Sequence, residues 1–158
     1  MKIVILVPIY NDWQSASKLL EEINSNIAGL ETQFSIIIIN DASTDQQSIN
    51  ALNTENLQSI KIINMKENRG HARCIASGLK HIFEKEEFDY VIPMDGDGED
   101  RPEEIKNFLE YLNYASDKPI VGERVKRSES LTFKFCYSLH KILTFAFTGQ
   151  SIKFGNYT

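Results

Sequence analysis

Asp95 and Asp97 are two carboxylates separated by one glycine, and of all patterns in this sequence theirs most clearly suggests a chemical role. They directly follow the apolar run 90–94, so we expect both to emerge where a buried strand ends. Hard divalent cations such as Mg²⁺ commonly bind one or two carboxylates together with phosphate oxygens of a substrate. Gly96 permits a tight turn and the approach of a ligand, and an ordinary acidic surface turn is the alternative.

Three further polar clusters follow apolar runs in the same way. They are Tyr10-Asn11-Asp12, Asn40-Asp41 and Asn68-Arg69-Gly70. Ligands of parallel α/β sheets bind at the carboxyl ends of the strands, where the loops converge. The clusters therefore predict one composite site together with the acidic turn.

The residue types in these clusters suggest separate tasks. We expect Ser43 or Asp45 to cap the next helix, which would leave the Asp41 carboxylate free for a base edge or ribose hydroxyls. Arg69 or Arg73 would face diphosphate oxygens near the positive end of a helix. His71 is more simply explained as a capping or solvated histidine than as a catalytic one. Arg124 and Arg127 lie either in a solvated loop or in a phosphate clamp.

Short apolar runs alternate with amphipathic segments, which predicts a parallel sheet covered by helices. Strands are predicted at residues 2–7, 34–39, 60–64, 90–94 and 119–121. The predicted apolar helix faces are Ala16, Leu19, Leu20, Ile23 and Ile27, and then Ala72, Ile75, Ala76, Leu79, Ile82 and Phe83. A third helix should begin near Pro102, because proline suits the first turn of a helix.

Composition sets further limits. The 158 residues suit one domain. The net charge of −5 argues against broad nucleic-acid binding, because the chain has no excess of cationic side chains to displace counterions from a phosphate backbone. No run approaches the roughly 20 apolar residues that span a bilayer. Cys74 and Cys136 have no metal-ligand spacing and are expected to be free thiols in a reducing compartment. We therefore expect a cytoplasmic protein, and docking to the inner face of the cell membrane stays open.

In their order, these segments resemble the inverting family 2 glycosyltransferases of the GT-A fold, particularly the branch of dolichol-phosphate mannose synthases and bacterial polyprenyl-phosphate glycosyltransferases. The resemblance rests on Val7-Pro8-Ile9-Tyr10-Asn11, Asn40-Asp41-Ala42-Ser43-Thr44-Asp45, Asn68-Arg69-Gly70 with Ala72 and Gly78, and the segment from Met94-Asp95-Gly96-Asp97 through Pro102. It implies a Rossmann-like α/β fold with a mostly parallel sheet flanked by helices. Residues 1–158 would be one catalytic domain, incomplete at its C-terminus. Within it, 1–100 would bind the nucleotide and 101–158 would begin the acceptor side.

The resemblance also implies roles for individual residues. Pro8, Tyr10, Asn11 and Asp41 would line the base and ribose, Asn68, Arg69, Gly70 and Gly96 would complete the nucleotide-sugar site, and Arg124 and Arg127 would approach the phosphates. Asp95 would point toward ribose or metal, and Asp97 toward an Mg²⁺ or Mn²⁺ ion that bridges the diphosphate. The implied donor is a UDP- or GDP-sugar, and the implied acceptor is a polyprenyl phosphate or a cell-envelope glycan.

The end of the chain departs from the family pattern. The mannose-synthase branch commonly has an acidic residue there, before a Gly-Phe-Arg-like segment, but residues 149–158 contain no carboxylate. No catalytic base is assigned, and a truncated donor-binding module or pseudoenzyme is the alternative to an active transferase. A doubly wound signalling domain that binds Mg²⁺ is a third, weaker alternative. Residues 131–147 would form a helix that packs against protein or lies on a lipid surface.

Overall fold

The computed structural model describes residues 1–45 and 54–112, together with 114, 119–120, 138–139 and 142. The chain has two units, Met1–Lys118 and Pro119–Thr158, and the elements below lie in the first. The strands are β1 (Lys2–Ile9), β2 (Gln33–Asn40), β3 (Ser59–Asn64) and β4 (Tyr90–Pro93). The helices are α1 (Trp13–Asn26), α2 (His71–Lys85) and α3 (Ile105–Leu112), and a 3-10 turn at Pro102–Glu104 precedes α3.

The four strands form a parallel sheet in the order β3-β2-β1-β4. β1 and β2 pair along their full lengths, from Lys2 opposite Gln33 to Ile9 opposite Asn40. Residues 36–39 of β2 are buried, as befits a strand covered on both faces. The predicted α/β fold with a parallel sheet is therefore confirmed.

Helix α1 covers one face of the sheet, and its predicted apolar stripe is confirmed. Ala16, Leu19, Leu20 and Ile23 are all buried, and Ile27 is buried directly after the helix. Asp12 caps the helix, since its carboxylate accepts a hydrogen bond of 3.1 Å from the Ser15 backbone N–H. The end of β1 is thereby joined to α1 by a short, fixed turn.

Helix α2 covers the opposite face, and its predicted stripe is confirmed only in part: Ile82 is buried and Ile75 packs against the core, but the rest of the stripe is exposed. Its buried residues are Cys74, Gly78 and Ile82, whereas the side chains of Leu79 and Phe83 are 40% and 80% exposed. A Cβ atom on Gly78 would lie only 2.5 Å from Leu6 Cδ1 and 2.7 Å from Ile39 Cγ1. The helix therefore turns its smallest residue toward the sheet and approaches it more closely than a larger side chain would permit.

The predicted fifth strand at residues 119–121 is wrong where it can be judged. Residues 119–120 lie in no strand, and residue 121 is outside the described part of the chain. The predicted run has only three residues, and because Pro119 has no backbone N–H, few ladder hydrogen bonds could hold it as a strand.

Cys74 is buried and free, as expected, whereas Cys136 lies outside the described residues. Burial, and after it the negative charge of Asp41, raises the pKa of the Cys74 thiol to about 11. Because the thiolate is the reactive form, we expect iodoacetamide at pH 8 to leave Cys74 unlabelled in the folded protein and to label it in denaturant. Peptide mass spectrometry measures this, and labelling at equal rates in both conditions would contradict it.

Candidate functional site

The four polar clusters predicted from the sequence meet at the carboxyl edge of the sheet, where contacts join them in a closed ring. Asn11 hydrogen-bonds the loop after β2, and Asp41 of that loop hydrogen-bonds the segment before α2. His71, the first residue of α2, lies beside Asp95 after β4. Gly96 in turn lies against the end of β1. Each loop is thus positioned by its neighbours rather than by its own sequence alone.

Asn11 connects the first two loops through its backbone and side chain. Its backbone N–H donates to Ser43 Oγ at 2.9 Å, and its side-chain oxygen accepts from the Thr44 N–H at 2.7 Å. Asn11 and Ala42 have positive φ angles of 54° and 57°, which non-glycine residues adopt rarely. These contacts hold both residues in that conformation and occupy the carbonyl oxygen of the Asn11 side chain.

Asn40 continues this connection toward β3. Its side-chain nitrogen donates to Asn64 Oδ1 at 2.8 Å, while its oxygen accepts from the backbone N–H and the hydroxyl of Ser43. Ser43 therefore links the ends of β1 and β2. Residues 46–53, where the helix that Ser43 or Asp45 is expected to cap would begin, lie outside the described residues.

Asp41 does not have the free carboxylate that the sequence suggested. The residue is 3% exposed, and its two oxygens accept hydrogen bonds of 2.8 Å from the backbone N–H groups of Arg69 and Gly70. Gly70 has a φ of 83° and a ψ of 158°, a conformation that is essentially restricted to glycine. Asp41 therefore fixes the path by which the chain enters α2.

The acidic turn after β4 is held by its own side chains. The Asp95 backbone N–H donates to Asp100 Oδ2 at 2.7 Å, and Asp97 Oδ1 accepts from the Glu99 N–H at 2.9 Å. Gly96 is buried, and a Cβ atom there would lie 3.1 Å from both the Pro8 carbonyl oxygen and Ile9 Cγ2. Glycine is thus needed for the turn to lie this close to β1.

Negative charge is concentrated in this turn. Burial raises the pKa of the Asp95 carboxyl, His71 opposes that shift, and the charges of Asp100, Asp97 and Glu99 add to it. Asp97 itself is exposed. No group of three or more His, Cys, Asp or Glu side chains in the described chain could alone enclose a metal ion. Two carboxylates nevertheless suit Mg²⁺ or Mn²⁺ when substrate phosphates supply further oxygens.

The basic residues are less clearly placed. Arg69 forms an ion pair with Glu67, so its guanidinium is engaged at the surface, and Arg73 is exposed in the first turn of α2. The predicted phosphate contacts Arg124 and Arg127 fall outside the described residues.

The segment 131–147 is described at only three positions. Of these, Leu139 and Ile142 are helical and have exposed side chains. None of the helices that the structure describes is long and apolar enough to cross a membrane.

Two residues at this edge make contacts that the sequence does not suggest. His71 is expected to be a capping or solvated histidine, yet its Nε2 lies 3.3 Å from Asp95 Oδ1. Asp100 was not singled out, although it accepts the Asp95 N–H. The dense run of acidic residues after Asp95 carried a signal for a self-bonded turn. Nothing in the sequence indicated the contact of His71, because it joins residues that are distant along the chain.

The chain has the GT-A fold, which it shares with two solved glycosyltransferases. The structure of S. aureus TarS in complex with UDP-GlcNAc has a TM-score of 0.57 at 23% identity, over 81% of this chain and 38% of that one. The mannosyltransferase PcManGT from Pyrobaculum calidifontis, in complex with GDP-Man and Mn²⁺, has a TM-score of 0.51 at 23% identity, over 79% and 35%.

The sequence gives the family directly. Residues 4–156 match Glycosyl transferase family 2, and the chain belongs to this family. It is 29% identical to the undecaprenyl-phosphate 4-deoxy-4-formamido-L-arabinose transferase of Proteus mirabilis, over 96% of this chain and 45% of that protein. It is 25% identical to the dodecaprenyl-phosphate galacturonate synthase of Rhizobium johnstonii, over 83% and 38%. The chain thus spans less than half the length of these relatives.

Proposed function

We propose that this chain is the donor-binding part of a glycosyltransferase that moves a sugar from a nucleoside diphosphate sugar to an acceptor. The observation that carries the proposal is the acidic turn Asp95-Gly96-Asp97, held at the carboxyl edge of the sheet beside the first residue of α2. A diphosphate at this edge would meet both the positive end of a helix and a cation held by carboxylates.

The residues at the carboxyl edge of the sheet would have separate tasks in that complex. The nucleotide sugar would be lined by Pro8, Tyr10, Asn11, Asn68, Arg69, Gly70, Asp95, Gly96 and Asp97, and Arg124 and Arg127 are the predicted phosphate contacts. Asp41 would act indirectly, because it holds the segment at Arg69 and Gly70 in place through their backbone N–H groups. Asp95 and Asp97 would hold Mg²⁺ or Mn²⁺, whose charge stabilises a departing nucleoside diphosphate. The solved complex of PcManGT with GDP-Man and Mn²⁺ supports this choice of ion.

A polyprenyl phosphate is the acceptor we favour, with a cell-envelope glycan as the alternative. The name of the Proteus relative includes undecaprenyl phosphate, and the name of the Rhizobium relative includes dodecaprenyl phosphate. The oxygen of a phosphate acceptor is already anionic, so transfer to it needs little help from a general base. Peripheral contact with the inner face of the cell membrane, through exposed apolar residues such as Leu139 and Ile142, would suit a lipid-linked acceptor.

A donor-binding module without efficient transfer is the second candidate, because the polar clusters at the sheet edge are all assigned to the donor and no catalytic base is assigned. Incubation with a radiolabelled donor sugar and undecaprenyl phosphate vesicles separates the two functions. Lipid-linked label indicates a transferase, whereas slow release of free sugar indicates a binding module.

A thermal-shift panel of UDP, GDP and their sugars, with Mn²⁺, Mg²⁺ or EDTA, tests donor binding. We expect one nucleotide to raise the melting temperature only when metal is present, by the equivalent of about 2.7 kcal/mol at a hundredfold excess over Kd. Asp97→Ala should abolish the shift. Glu31→Ala removes the same charge from an exposed residue that precedes β2, at the other edge of the sheet, and should preserve it. Absence of any shift in the unmodified chain would refute the donor-site assignment.

A further inference from the structure

We infer that His71 is a positioning residue, which holds the Asp95 carboxylate in the orientation that binds a metal–diphosphate complex. The inference rests on the proposed function, and its observation is the 3.3 Å separation between His71 Nε2 and Asp95 Oδ1. At this ion-pair distance the imidazole is within reach of one carboxylate oxygen, which would leave the other oxygen for a cation.

His71 can serve this purpose because its own place is fixed. β2 and β4 lie on opposite sides of β1 in the sheet, so their ends are not neighbours. Helix α2 packs across β1 and β2, and the chain enters it through backbone N–H groups that Asp41 accepts at 2.8 Å. The first residue of the helix therefore carries an imidazole from the β2 side of the site to the acidic turn after β4.

Asp95 needs such a partner because its surroundings are acidic. Its backbone is held by Asp100 at 2.7 Å, which leaves rotation of the carboxylate as its main remaining freedom. Burial raises the pKa of the Asp95 carboxyl, His71 lowers it, and the like charges of Asp100, Asp97 and Glu99 raise it further. Those carboxylates repel it, so without His71 the side chain would turn away from Asp97 and toward solvent.

An ordinary surface ion pair is the competing explanation, and it makes a different prediction. His71 and Asp95 side chains are 50% and 47% exposed, and exposed pairs contribute little to folding stability. A positioning partner of a metal ligand, in contrast, typically changes metal affinity by about 10- to 100-fold when it is removed. Metal affinity and melting temperature therefore separate the two roles.

The test titrates Mn²⁺ into the chain by calorimetry, in the presence of the nucleoside diphosphate that stabilises it best. We expect His71→Ala to weaken Mn²⁺ binding by about 10- to 100-fold while the melting temperature without ligand stays unchanged. His71→Gln keeps a neutral N–H donor of similar reach and should recover most of the affinity. His81→Ala is the matched control, because His81 Nε2 lies 3.5 Å from Glu86, in a pair outside the acidic turn, and should not affect Mn²⁺ binding.

Each outcome bears on the inference. If the unmodified chain binds Mn²⁺ and nucleotide and His71→Ala binds them equally well, the inference is wrong and the proposed function stands. If His71→Gln binds as weakly as His71→Ala, donation by His71 is not the cause and the inference is also wrong. A large loss of melting temperature in both variants would assign His71 a structural role instead. Failure of the unmodified chain to bind would overturn the proposed function and this inference together.

Discussion

Replacement of Asp41 by alanine is expected to lower the free energy of unfolding by about 2 to 4 kcal/mol, since each hydrogen bond to a charged group contributes about 1.5 to 3 kcal/mol. Two such bonds, to the N–H groups of Arg69 and Gly70, would be lost together. Both ends of this range are lower than two full bonds would give, because Arg69 and Gly70 are exposed and water can solvate the N–H groups that lose the carboxylate. Urea denaturation measures the change.

The same replacement should also remove metal-dependent nucleotide binding. Asp41 holds the entry to α2, and the first residue of that helix, His71, contacts Asp95. Loss of the carboxylate therefore loosens the acidic turn through the helix, although Asp41 does not contact that turn itself. The thermal-shift panel described above, run on Asp41→Ala, measures this loss as the absence of a metal-dependent rise in its melting temperature.

Two variants sharpen the test. Asp41→Asn keeps one acceptor oxygen but turns an NH₂ group toward the second N–H, so its stability should fall between those of Asp41→Ala and the unmodified chain. Glu31→Ala removes the same charge at an exposed position away from this loop and should alter stability by less than about 0.5 kcal/mol. Equal stability of Asp41→Ala and Glu31→Ala would show that Asp41 does not hold the loop.

The sheet was predictable because its signal is local. Residues 36–39 are consecutive isoleucines, and only a strand buried on both faces suits such a run. β1, however, runs two residues beyond its predicted end at residue 7, to Ile9. Pro8 does not end the strand, because a proline carbonyl still accepts a hydrogen bond, and pairing with β2 continues past it to Ile9 opposite Asn40.

The orientation of α2 was not predictable from hydrophobicity. Leu79 and Phe83 carry far more apolar surface than Cys74 or Gly78, so a periodicity argument predicts a helix rotated away from its observed orientation. What decides the orientation is the separation between helix and sheet, which depends on residues of β1 and β2 that lie far away in the sequence. A single sequence contains no direct measure of that separation.

At the site, the sequence identified the clusters but not how they bind one another. Asp41 and Asp95 look alike in the sequence, since each is an acidic residue near the end of an apolar strand. In the structure one turns inward to backbone N–H groups, and the other stays half exposed beside His71. Backbone donors carry no sequence signature, so the partner of Asp41 could not be recognised in advance.

Replacement of Gly78 by alanine is expected to destabilise the protein by about 1 to 3 kcal/mol, the usual cost of one extra methyl group in a filled core. The sign is informative, because the same change in an exposed helix would stabilise by about 1 kcal/mol through helix propensity. The new methyl would stand 2.5 Å from Leu6 Cδ1 and 2.7 Å from Ile39 Cγ1, and both side chains are almost fully buried. Neither can yield in a close-packed interior, so α2 must move outward.

Movement of α2 would also displace its first residue, so Gly78→Ala should weaken Mn²⁺ binding although Gly78 lies two turns from His71. Ala76→Gly is the matched control: at that exposed position of the same helix, loss of the methyl group should cost about 1 kcal/mol by propensity alone and leave metal affinity unchanged. Urea denaturation and Mn²⁺ calorimetry on both variants measure these effects. A stabilised Gly78→Ala would mean that the helix does not approach the sheet as closely as its buried glycine indicates. Lost affinity in Gly78→Ala, with normal affinity in Ala76→Gly, would tie the position of α2 to the acidic turn.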